Sequence, residues 1–239
     1  MNRYPSVFGV LLVLGGIMAG ACGGPPVYVD RGLAQGIPCQ PPCWEGLVPG
    51  ISTEEEVRQT LERLQRSGQI PPYDEASGPR QAMFRIGPNW EGGIEILTEN
   101  GRLALILGEV AFDLDAQQLI GRLGAPQAVG RAQLGVETPC ACTAEHANIT
   151  PGHSYPNRTS IVFYPEKGVA FTIVIPPKDA GCICPYMKVL GFTYTPPMTT
   201  ALEQWQYRTD FLLYSSTVPE ADIAPWHGFG PGYLRVVNP

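Results

Sequence analysis

Apolar positions along this chain change their spacing several times, and each change marks an element. After Thr53 they recur at Val57, Leu61 and Leu64, one face of a helix, and Thr53-Glu54-Glu55-Glu56 supplies the cap and the glutamate three residues later that returns its hydrogen bond. Asp115-Ala116-Gln117-Gln118-Leu119 repeats that layout, with Leu119, Ile120 and Leu123 apolar and Gly124 then Pro126 as the stop. Strand-like segments follow each helix. The first set is 82–86, 93–98 and 102–107, its last two members joined at Asn100-Gly101, a dipeptide suited to the positive φ of a tight hairpin. The second set is 159–164, 168–175 and 187–194, its first two members joined by Pro165-Glu166-Lys167.

A helix followed by antiparallel strands, twice, is a weak internal duplication and predicts an α+β fold. The expected architecture is two helix-plus-antiparallel-strand units, 39–110 and 111–195, with helices packed on one face of each sheet. An irregular, aromatic-rich tail is expected over 196–239. Connections of hairpin length leave no room for parallel crossovers.

The N-terminal pattern is of another kind. Arg3 precedes an apolar stretch from Val7 to Ala19, too short to span a bilayer and closed by Gly23-Gly24-Pro25-Pro26. Residues 1–21 therefore read as a signal peptide. Its small residues, Ala19-Gly20-Ala21, run straight into Cys22, the arrangement of a bacterial lipobox, which makes Cys22 the expected site of lipid attachment. The competing reading is ordinary cleavage, since Ala19-Gly20-Ala21 is itself an A-x-A-like site. Acyl chains on Cys22 would anchor the protein to a membrane, outside the cytoplasm in the cell envelope. Residues 22–38, rich in Gly and Pro, would form a flexible tether reaching up to ~50 Å.

Composition narrows the function classes. The 239 residues are 44% hydrophobic, enough for a real core, and 25 prolines predict many short elements. Once Arg3 leaves with the signal, 15 basic side chains face 22 acidic ones, a net charge of −7. Without a basic stripe, nucleic acid is excluded as a partner.

The run Pro49-Gly50-Ile51-Ser52-Thr53-Glu54-Glu55-Glu56-Val57, and more faintly Leu119-Ile120-Gly121-Arg122-Leu123-Gly124-Ala125-Pro126, resembles the helix signature of SmpA/OmlA (BamE-like) lipoprotein domains. Pro42-Cys43-Trp44-Glu45-Gly46-Leu47 and Leu190-Gly191-Phe192-Thr193-Tyr194 resemble segments of uncharacterised bacterial lipoproteins. The resemblance covers about half the chain. It departs from the family's pattern after the first helix, where Leu64-Gln65-Arg66-Ser67-Gly68 replaces a Leu-Gly-x-Pro ending. By analogy, it implies a role in outer-membrane protein assembly.

Seven cysteines are present, six of them downstream of Cys22 in three local pairs: Cys39 with Cys43, Cys140 with Cys142, and Cys182 with Cys184. In extended backbone, residues two apart point the same way, so each C-x-C presents two thiols side by side and does not readily close on itself. An oxidising compartment then favours two disulfides between the 140 and 182 regions, with Cys39 to Cys43 closed locally. The alternative is a metal site of Cys140, Cys142, Cys182 and Cys184, with His146 and His153 near in sequence, or a redox role for the same pairs.

Catalytic equipment is sparse. No G-x-S-x-G, P-loop, dinucleotide fingerprint or H-E-x-x-H occurs, and no cofactor is implied. A non-catalytic protein that binds or scaffolds an envelope protein or glycan is the expected function. Trp226, Phe229 and Tyr233, in the run Trp226-His227-Gly228-Phe229-Gly230-Pro231-Gly232-Tyr233, are its candidate binding residues, unless those rings pack back onto the domain.

Overall fold

The computed structural model describes residues 36–87, 93–109, 114–130, 132–134, 142, 159–175, 182–211, 223–231 and 234–236. Cys22, the expected signal segment and most of the expected tether lie outside them. Helix α1 (Glu54–Arg66) starts at the capping box: Glu56 N–H donates to Thr53 Oγ1 at 3.2 Å, and Thr53 N–H donates to Glu56 Oε2 at 2.7 Å. A meander follows, β1 (Tyr73–Ser77), β2 (Gln81–Ile86), β3 (Ile94–Glu99) and β4 (Arg102–Glu109). Asn100 and Gly101 turn the last hairpin with φ of 51° and 77°. Helix α2 (Ala116–Leu123) repeats the box with Asp115 and Gln118. Then come β5 (Ala128–Gly130), β6 (Ala132–Leu134), β7 (Thr159–Tyr164), β8 (Val169–Val174), β9 (Cys182–Ile183) and β10 (Val189–Tyr194). The chain continues through α3 (Ala201–Phe211), β11 (Ile223–Pro225), β12 (Gly230–Pro231) and β13 (Leu234–Val236).

The duplicated α+β arrangement, two units with a sheet each, is not what these strands build. Nine of them form one antiparallel sheet in the order β1-β2-β3-β4-β10-β8-β7-β5-β11. Its seam is the pairing of β4 with β10, where Phe192 lies opposite Gly108 and Tyr194 opposite Ile106. Burial explains why two one-faced sheets fail. Leu103, Ala104, Leu105 and Ile106 are all buried in succession, as are Val169, Ala170 and Phe171, so these strands need cover on both faces and on both edges. Without β10, Ile106–Glu109 of β4 would be an edge open to other chains. Gly108 makes the seam close-fitting, because a Cβ there would run into the Phe192 ring.

Both faces of the sheet carry helix. On one, Val57, Leu61 and Leu64 of α1 and Leu119 and Leu123 of α2 share a core with Phe84, Ile96, Ile106, Phe171, Phe192 and Tyr194. On the other, α3 lays Ala201 and Trp205 over Ala128, Ile161, Phe163 and Ala170, and Tyr207 over Leu97 and Leu105. The Trp205 ring meets Phe163 edge-on at 6.1 Å, and the Tyr207 hydroxyl donates to the Ala104 carbonyl at 3.3 Å. The tail expected to be irregular thus supplies the helix that closes the second face, and β11 adds the ninth strand. At the outer edges, exposed Asp74 and Glu75 on β1 and Pro225 on β11 discourage further strand pairing.

Candidate functional site

Two groups of residues singled out in the sequence meet at one corner of the molecule. Strand β9 begins with Cys182, and Cys184 follows it into a turn closed by Met187 N–H donating to the Cys184 carbonyl at 3.1 Å. Strand β12 pairs antiparallel with β9, Gly230 opposite Ile183 and Pro231 opposite Cys182. This pairing lays the aromatic run across the cysteine strand. Trp226 is held from the other side by its N–H, which donates to the Gln127 carbonyl at 3.1 Å. Its ring packs on the main core and meets Phe229 edge-on, with centroids 5.5 Å apart. Trp226 thus packs back on the domain, whereas Phe229 is 36% exposed.

The cysteines among the described residues are oxidised. Cys39 and Cys43 are bonded across a separation of four residues, the local closure expected from their spacing. Cys142 is bonded to Cys184 with Cα atoms 5.5 Å apart, which links the 140 region to the 182 region as expected. Cys182 is disulfide-bonded as well. Cys182 and Cys184 are fully buried, whereas Cys142 is exposed. Cys140 and Tyr233 lie outside the described residues, as do His146 and His153; His227 lies in the run, exposed.

The turn after Cys184 also starts helix α2. The N–H groups of Ala116 and Gln117, in the first helical turn, donate to the carbonyls of Met187 at 2.8 Å and Pro185 at 2.9 Å. Val189 N–H donates to the Leu114 carbonyl at 2.9 Å, fastening the entry of β10 to the same place. Two donors that a helix start leaves without intrahelical partners are therefore satisfied by the cysteine turn. Any change at Cys184 is felt at a helix end.

One residue of this corner escapes a reading based on cysteine spacing. The Met187 sulfur accepts the Cys184 N–H at 3.3 Å and is buried, so a thioether is held against the backbone of the cysteine turn. Its signal was the run Cys182-x-Cys184-x-x-Met187, three sulfur side chains within six residues. The Sγ atoms of Cys142, Cys182 and Cys184 all lie within 4.8 Å of one another. Chemically the corner offers a rigid, cross-linked platform with one outward phenyl ring, and, when reduced, a cluster of soft donors. No family model, curated protein or solved structure matches the chain.

Proposed function

We propose that this protein is a non-catalytic lipoprotein of the cell envelope, anchored through Cys22, that binds or scaffolds another envelope component with its cysteine corner. The observation that carries this reading is the pairing of β12 with β9, which fixes an exposed aromatic side chain, Phe229, onto a disulfide-stapled strand. A ring held on a rigid base loses little conformational freedom on binding, which is what a contact anchor requires. An acyl anchor on Cys22 would serve the same role, because a partner in the same membrane is met at high effective concentration and modest affinity suffices.

Three substitutions in intact cells test it. A photo-crosslinking residue in place of Phe229 should yield a discrete adduct with an envelope component, and Trp226→Ala, which removes the support beneath that ring, should abolish it. Cys22→Ser should move the protein to the soluble fraction and lose the adduct as well. A protein that is soluble and free of acyl mass before any substitution, or an adduct indifferent to Trp226→Ala, contradicts the proposal.

A second reading, a metal-binding or redox protein, is favoured by one observation, the three cysteine sulfurs gathered within 4.8 Å.

A further inference from the structure

We propose that the corner, once reduced, is a copper(I) site built from the thiolates of Cys142, Cys182 and Cys184 and the thioether of Met187. This rests on the metal-binding reading and is independent of partner capture through Phe229. The three sulfurs are already gathered, although one pair must separate on reduction. A metal about 2.3 Å from each of three sulfurs holds them about 4 Å apart, and the three Sγ atoms here lie within 4.8 Å of one another. Reduction moves Cys142 and Cys184 in the right direction, since unbonded sulfurs must separate from the bonded distance of 2.05 Å.

The donor set selects the ion. All four ligands are sulfur, and a thioether is a poor partner for Zn(II) but a good one for a soft monovalent cation. Met187 is held in place because its sulfur accepts the Cys184 N–H at 3.3 Å. Burial divides the work: Cys182 and Cys184 are fully buried and shield the ion, while exposed Cys142 gives it a way in. Thiolates in excess of the metal charge leave the site negative, and the start of α2, the positive end of that helix, lies against the same turn.

Loading the site requires a two-electron reductant, a dithiol in the cell or a phosphine in vitro. Each disulfide takes two electrons and two protons from one dithiol, which closes to its own disulfide. The thiols that bind copper(I) then release their protons to solvent.

The test uses the full chain carrying Cys22→Ser, Cys39→Ser and Cys43→Ser, reduced with a phosphine under anaerobic conditions and titrated with copper(I) against bicinchoninate. One equivalent should be withdrawn from the chelator, with ultraviolet thiolate-to-copper absorption. Cys184→Ser should abolish that binding, and Met187→Leu should weaken it about tenfold or more. Several outcomes overturn the proposal: no withdrawal of copper, unchanged binding in either variant, displacement by equimolar Zn(II), or loss of the far-ultraviolet dichroism of the folded chain on reduction. None of these touches the Phe229 adduct, so the two readings fail separately.

Discussion

Gly168 closes the turn between β7 and β8 with a φ of 62°, and its N–H donates to the Pro165 carbonyl at 2.9 Å. Its own carbonyl accepts the Thr195 N–H at 2.9 Å, tying the turn to the end of β10. A Cβ at this position would strike the Thr195 carbonyl oxygen, which is backbone and cannot rotate away. Gly168→Ala should therefore lower the free energy of unfolding by about 2 kcal/mol or more, combining left-handed strain with the collision. A urea titration with an unchanged midpoint would show that the turn can relax. The turn was readable from Pro165-Glu166-Lys167, with Gly168 expected as the first residue of the strand, but the partner that makes this position intolerant was not, because Thr195 reaches it only through the sheet.

Among elements, the caps are the features most completely readable. Thr53 with Glu56 and Asp115 with Gln118 form the boxes their spacing predicts, since both hydrogen bonds close within four residues. The same signature begins α3, where Glu203 N–H donates to Thr200 Oγ1 at 3.1 Å and Thr200 N–H donates to Glu203 Oε2 at 3.1 Å. It was hidden because the stripe that α3 buries, Ala201, Gln204, Trp205 and Arg208, is half polar: Gln204 donates to Thr195 Oγ1 at 3.1 Å, and the Arg208 guanidinium lies 5.5 Å over the Trp205 ring. Strand β1 left no alternation to read either, since Tyr73 alone of its five residues is not exposed. Thr200→Ala should cost about 1 kcal/mol and shift Trp205 emission. The Thr199 hydroxyl and the Thr199 and Thr200 N–H groups hold the Glu203 carboxyl below its usual 4.5, and the Thr53 N–H and hydroxyl do the same for Glu56. Folded values below unfolded ones mean stability that is complete above about 4.5 and lost as pH falls through the folded values. The thermal midpoint should drop on acidification through this window, less steeply in Glu203→Gln; an unchanged slope would remove that carboxylate from the cause.

For the whole molecule, the cross-link and the seam dominate. The Cys142–Cys184 bond joins residues 42 apart, so Cys142→Ser with Cys184→Ser should destabilise the chain by about 4 kcal/mol in denaturant titrations. A loss under 1 kcal/mol would mean that the corner stays closed without the bond. The link was legible because C-x-C segments present paired sulfurs. The single sheet was not, because the contact that fuses the two strand sets, β4 with β10, joins distant residues whose local sequence says nothing of each other. That seam orders the birth of the protein. A chain emerging from its N-terminus can fold β1 to β4 by successive local hairpins, within microseconds each. The partner strand of β4, residues 189–194, emerges only about 80 residues after β4 ends. Throughout that interval the growing molecule carries a sticky border over Ile106–Glu109, the part of β4 that the 50–53 segment does not cover, and whatever surface lies nearest is the first able to cling to it.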